Sequence, residues 1–247
     1  MRYALVSDIH ANLPALKAVL DQIARNPGVD ATFHLGDLVG YGPWPNETVD
    51  LLIENQIAGI SGNYDSTVAT NAPHCGCKSE NARQEELSHV SFGWTKEHVS
   101  PRTWEYLGSL PFRLDIKPRG GHAPGPTLIL VHGTPTLNTL YWTEDRPDSF
   151  CLKMAQIAGA LAGDVIAFGH THMPWKRTVE GIHFVNTGSV GRPKDGDWRA
   201  GYAIVDVGGD DVSIEHVRVE YDVEKAARAV VKSGLPEEFA ETLRAGS

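Results

Sequence analysis

Five apolar segments spread along this 247-residue chain each run into an Asp, Asn or His, and that recurrence limits what the chain can become. Residues 3–6 lead into Asp8-Ile9-His10, and residues 164–169 lead into His170-Thr171-His172. Side chains at i and i+2 of a strand share a face, so each pair is expected to present two metal-competent groups together at a strand end. Asp37, Asn63 and His132 each follow an apolar run of their own. Taken singly, His132 reads as a satisfied core histidine, Asp37 as a turn residue and Asn63 as a left-handed residue before a helix. Together they point to a metal centre.

The segments between these points alternate. Residues 2–7 read as a strand and 13–24 as a helix, with Leu13, Leu16, Val19, Leu20 and Ile23 at helical spacing and Asn12 as N-cap. Residues 31–35 form a second strand, 46–54 a second helix and 57–61 a third strand, the alternation of a layered α/β domain. Residues 79–107 read as helical, with Val90, Trp94, Val99, Trp104 and Leu107 facing inward and Ser100-Pro101 as cap and first helical position. Strands return at 112–116, 127–131, 165–168, 175–179, 182–185 and 201–207, with one helix over about 148–161. Their close spacing and glycine-rich turns favour antiparallel pairing. The expected fold is a four-layer α/β/β/α sandwich of two mixed β-sheets flanked by helices, a single domain over 1–247. Residues 222–247 are expected to be a peripheral helical tail.

Charge narrows the partners. Lys and Arg number 22 against 31 Asp and Glu, a formal charge of −9. An acidic surface is a poor general binder of polyanions, which argues against non-specific nucleic-acid or anionic-membrane binding. No apolar run is long enough to span a bilayer. Three cysteines cannot all pair, and with no export signal a reducing, cytoplasmic location is expected.

In order, Asp8-Ile9-His10, Gly36-Asp37 through Gly40, Gly62-Asn63-Tyr64-Asp65, Val131-His132-Gly133 and Gly169-His170-Thr171-His172 resemble the motifs of the calcineurin-like metallophosphoesterase superfamily. The stretches 7–15 and 186–191 resemble its small bacterial phosphodiesterases and phosphatases. The resemblance implies hydrolysis of phosphoesters by a dinuclear metal-hydroxide centre. Asp8, His10 and His172 would hold one ion, Asn63, His132 and His170 the other, and Asp37 would bridge them, with Asp37, Asn63 and Tyr64 in the catalytic positions. Carboxylate, amide and imidazole ligands without thiolate suit two divalent ions of Mn, Fe, Zn or a mixture. The implied substrates are a small-molecule phosphoester, a nucleotide or a phosphoprotein, and the superfamily also implies a non-catalytic scaffold as an alternative.

Tyr64 departs from the family pattern, where a histidine at that position protonates the leaving group. Tyrosine has a pKa of about 10 against about 6.5 for histidine, and general-acid assistance is worth roughly 10²–10⁴ in rate. Phosphodiesters, anhydrides and other esters with good leaving groups are therefore expected over alkyl monoesters. Two alternatives remain open: Tyr64 itself donates, or His34, His74 or His122 reaches in; His34 lies within a strand and reads as structural, and for His74 and His122 the favoured reading is of solvent-exposed loop residues.

Tyr41, Trp44 and Asn46 follow the Asp37 turn and read as lining an entrance, where they would stack on a base or aryl group; for Trp44, capping the next helix is the equal alternative. Arg192, Lys194 and Arg199 lie near Asp195 and Asp197; a surface ion-pair loop is the favoured reading and phosphate recognition, with Arg192 foremost, the other. Asp65 reads as support for the Asn63 turn. His74, Cys75 and Cys77 lack the further ligands of a structural zinc site, so a loop with reduced thiols is expected, a Cys75–Cys77 redox pair being the remote alternative.

Overall fold

The computed structural model describes residues 1–26, 28–77, 81–117, 125–207 and 212–247. In chain order the elements are β1 (Arg2–Val6), α1 (Leu13–Ala24), β2 (Ala31–His34), α2 (Pro45–Glu54), β3 (Ala58–Gly59) and α3 (Asn63–Ala69). Then come α4 (Ala82–His98), α5 (Pro101–Ser109), β4 (Arg113–Ile116), β5 (Leu128–Val131), α6 (Asp148–Ala158), β6 (Val165–Phe168), β7 (Trp175–Val179) and β8 (Ile182–Asn186). The chain closes with β9 (Ala200–Asp206), β10 (Ser213–Val219), α7 (Val223–Lys232) and α8 (Glu237–Ala245).

Among the described residues the strands form two five-stranded sheets, ordered β10-β9-β1-β2-β3 and β4-β5-β6-β8-β7. The period-two alternation of β1 builds three layers at once. Tyr3 and Leu5 join Leu128, Leu130, Val165, Ala167 and Val185 in the core between the sheets. Ala4 and Val6 face the other way, into a core with Leu16, Val19, Leu52 and Val230 of the helices. On the far side of the second sheet, Ile166, Phe168 and Phe184 pack with Cys151, Met154 and Ala155 of α6, and Trp142 stacks on Phe168 at 4.4 Å. This is the expected four-layer α/β/β/α sandwich.

Local departures have physical causes. β5, β6 and β8 pair in parallel, because α6 carries the chain back between β5 and β6; the antiparallel expectation holds for β4–β5, β7–β8 and β9–β10. The segment expected to be helical over 79–107 divides at Val99 into α4 and α5, with residues 78–80 outside the described part. Val90 and Trp104, expected inside, are 43% and 46% exposed, while α4 buries Ser88, Ser91, Phe92 and Thr95 instead. Its inner face is small and polar, so hydrophobic spacing misread it.

The C-terminal segment is not peripheral. Ala226, Ala227 and Val230 of α7 and Phe239, Ala240 and Leu243 of α8 are buried in the core that α1 also enters. Among the described residues no helix is long and apolar enough to cross a membrane.

Candidate metal centre

The ligand pairs meet by a route other than the strand pleat. Asp8 and His10 lie beyond β1, and His170 and His172 beyond β6, in loops where the backbone turns left-handed. Asp8, His10, Asp37, His170 and His172 have φ of 52, 49, 53, 66 and 62°. Such a conformation costs a non-glycine residue roughly 1–2 kcal/mol, so five together persist only where the surroundings over-determine them. Here they do. The Asp8 amide donates to Gly36 O at 3.0 Å and the His10 amide to Asp37 O at 2.9 Å. Ser189 Oγ donates to Asp8 O at 2.7 Å, and Asn186 Nδ2 to Gly169 O at 2.8 Å. The stretch 186–191 thus ties the two ligand loops together, a positioning role that sequence pattern alone did not assign. A Cβ on Gly169 would collide with the Ser7 hydroxyl and the Asp8 carboxylate, so no other residue fits there.

Two buried clusters result, Asp8 with His10 and His172, and Asp37 with His132 and His170. Asp37 Oδ2 stands between them, 3.8 Å from His10 Nε2 and 3.4 Å from His132 Nε2. Asp8 Oδ1 is 3.4 Å from His172 Nε2, which is 3.1 Å from His10 Nε2. Asn63 completes the second cluster, its Oδ1 3.1 Å from His132 Nε2. Asp8 Oδ1 and His170 Nε2, one in each cluster, are buried with no hydrogen-bond partner. Orphaned lone pairs in a low-dielectric interior are costly, and a divalent cation is the partner that both clusters fit.

The surrounding groups aim these ligands. Nδ1 of His10, His132 and His172 lies 3.1, 2.7 and 2.5 Å from the carbonyls of Val39, Leu35 and Arg192. A carbonyl can only accept, so each Nδ1 carries a proton and Nε2 is the nitrogen left for a metal. Asn63 Nδ2 donates to Cys75 O at 3.1 Å and Cys77 Sγ at 3.2 Å, which turns its oxygen toward the centre. Asp65 accepts the amides of Gly62, Asp37 and Leu38, and the Tyr64 amide donates to Asp37 Oδ1 at 2.9 Å.

Burial dominates the electrostatics. It pushes His10 down to about 4 and His170 to about 3, and His172 well below its usual value, with Lys194 adding to the effect. Asp8 is raised to about 7 by burial and the neighbouring Asp37 charge, against the pull of His132. Burial opposes a charge on His132 too, yet the Asp37 carboxylate and Asp8 raise it to about 9. Without cations, therefore, the centre keeps a His132–Asp37 ion pair.

The centre floors a cleft of about 880 Å³. Tyr41 and Arg192 line it, joined by Lys194, Arg146, Tyr141 and Phe239, of which the last three carried no sequence signal. Trp44 does not. It caps α2 through its backbone and packs beside Pro43, Ala226 and Leu243 in a small apolar hollow, so it is not a wall of the cleft. Tyr64 is buried, its hydroxyl donates to Ser91 Oγ at 3.4 Å, and burial with the neighbouring Tyr41 raises its pKa well above 10. Its side chain also borders the cleft. His34 is buried against the Tyr106 hydroxyl at 3.2 Å, His74 is exposed and accepts the Gly76 amide, and His122 lies outside the described residues. Arg199 pairs with Asp197 and Arg218 with Asp195, an ion-pair cluster that leaves out Arg192. Cys75 and Cys77, expected as reduced thiols, form a disulfide, since Gly76 at φ 73° brings their side chains round to meet.

A sequence description of the calcineurin-like phosphoesterase superfamily domain matches residues 1–210, and the chain belongs to that superfamily. It is 34% identical to the uncharacterized protein MJ0912 of Methanocaldococcus jannaschii, over 98% of this chain and 97% of that protein. It is 26% identical to phosphodiesterase YfcE of Escherichia coli K12, over 83% of this chain and 88% of that one. The crystal structure of a metallophosphoesterase from Sphaerobacter thermophilus superposes with a TM-score of 0.74 at 29% identity, covering 100% of this chain and 99% of that one.

Proposed function

We propose that the chain hydrolyses phosphoesters at a dinuclear centre, favouring phosphodiesters and other esters with good leaving groups. Asp8, His10 and His172 would hold one divalent cation and Asn63, His132 and His170 the other, with Asp37 placed where it could serve both. The observation that carries this reading is the pair of orphaned ligand atoms, Asp8 Oδ1 and His170 Nε2, buried in adjoining clusters. When bound, ions such as Mn, Fe or Zn supply positive charge against the phosphoryl oxygens and a water acidic enough to attack near neutral pH.

The chain's own contribution is placement and proton control. The three carbonyl-anchored histidines keep their Nε2 atoms fixed, and the Tyr64 amide and Asp65 hold Asp37 in register. Among the described residues, the histidines lining the cleft are His10, His170 and His172, all assigned to the cations. With the Tyr64 hydroxyl directed at Ser91 and these histidines on the cations, no described histidine of the cleft is left to protonate a leaving alkoxide. Leaving groups that depart as stable anions are therefore preferred. A cleft of about 880 Å³ has room for a nucleotide-sized small molecule.

A panel of bis(p-nitrophenyl) phosphate, p-nitrophenyl phosphate, an alkyl monophosphate, a dinucleoside polyphosphate and a phosphopeptide tests this, each run with Mn, Fe, Zn and Mg. The aryl diester is expected to turn over faster than the alkyl monoester. The reverse order would overturn the leaving-group argument.

A further inference from the structure

The C-terminal helix closes one side of the cleft, beside Arg192 and Lys194. We infer that this corner is a second anion subsite, holding a phosphate of the substrate other than the one attacked, and that Phe239 of α8 positions Arg192 for it. The inference rests on the phosphoesterase reading above.

The Arg192 guanidinium lies 4.1 Å from the Tyr41 ring centre and 5.7 Å from that of Phe239, and the two rings meet edge to face at 5.2 Å. Cation–π contact with Tyr41, and with Phe239 behind it, restricts where the guanidinium can sit, which favours a planar fork held for phosphate. Its Nε is buried without a hydrogen-bond partner. The nearby arginines are already committed, Arg199 to Asp197 and Arg218 to Asp195. Glu238 also faces the cleft, but Arg83 of α4 holds its carboxylate.

Arg192 is tethered to the metal centre by its own backbone, since its carbonyl receives the His172 Nδ1 proton at 2.5 Å. The loop that bears Arg192 and Lys194 is held in turn by the end of α8. The Gly196 amide donates to Gly246 O at 2.9 Å, and a Cβ on Gly246 would press on the Asp197 backbone at 2.6 Å. A chain of net charge −9 that sets two cations beside its hydrolytic centre, and fixes one of them from two sides, is built for an anion at that point. The phosphate under attack belongs to the dinuclear centre, so the anion here is a further phosphate on the same molecule.

The test uses calorimetric binding of ADP and AMP to the full chain at constant free manganese, with R192Q, F239A and F239Y beside the unaltered protein. The unaltered protein is expected to bind ADP at least about tenfold more tightly than AMP, the worth of one charge-assisted contact. R192Q and F239A abolish that preference, and F239Y, which keeps the ring, retains it. Equal affinity for ADP and AMP in the unaltered protein, or a preference that survives R192Q, overturns the inference. If F239A does not fold, R192Q and F239Y still decide. Metal stoichiometry and bis(p-nitrophenyl) phosphate turnover, measured on the same samples, report separately on the underlying hydrolase reading.

Discussion

Asp65 holds Asp37 by the backbone: its Oδ2 accepts the Asp37 amide at 2.8 Å and the Gly62 amide at 2.9 Å, while its Oδ1 accepts the Leu38 amide at 2.9 Å. Three amides on one buried carboxylate fix the turn that sends the Asp37 side chain between the two clusters. Asp65 would act on bound cations only through that turn.

Asp65→Asn is therefore a sharp probe. The amide group puts an NH2 where an acceptor stood, so whichever way it turns at least one backbone amide loses its partner. The expected cost is about 1–3 kcal/mol of stability, read by denaturant unfolding, together with weaker metal binding. Unchanged stability and unchanged metal affinity would show that Asp65 does not set the turn.

Metal uptake should expel protons. His132 has a pKa of about 9 and Asp8 of about 7 in the cation-free centre, and both must lose their proton to coordinate. At pH 7 metal uptake should therefore release protons, chiefly from His132, and affinity should rise with pH across neutrality. Calorimetry in buffers of different ionisation enthalpy measures the number directly. A pH-independent affinity with no proton release would contradict the His132–Asp37 ion pair.

What could be read from the sequence follows from what is local. The seven candidate ligands stand next to apolar strands and glycines, so their positions were legible, and alternation in β1 announced a buried sheet. The left-handed loops that make Asp8 and His10 converge were not, because φ is set by contacts with Gly36 and Ser189, distant in the chain. α4 escaped for a related reason: a helix burying Ser88, Ser91 and Thr95 shows no apolar stripe. Phe239 was invisible as a site residue, since only the tertiary fold brings it to Tyr41 and Arg192. Tyr64 sits where the family motif places it, but whether its hydroxyl faces substrate or Ser91 is decided by α4 packing.

His34 offers a pH test outside the centre. Burial lowers its pKa to about 3 in the folded chain, against about 6.5 when unfolded. The unfolded state then binds this proton first as pH falls, so the group costs nothing above pH 6.5 and destabilises progressively down to about 3. Its share of the slope is roughly 1.4 kcal/mol per pH unit. His34→Gln should make the acid-side decline of stability shallower by about one proton between pH 6 and 4, whatever its effect on stability at pH 7. A slope identical to that of the unaltered protein would show that His34 already takes up its proton when folded.

The central claim is that one carboxylate oxygen serves two cations, and anomalous diffraction from crystals grown with manganese tests it most directly. Two peaks about 3.5–4 Å apart are expected, one among Asp8, His10 and His172, the other among Asn63, His132 and His170, with Asp37 Oδ2 between them. A single peak, or two that do not share Asp37, would contradict it.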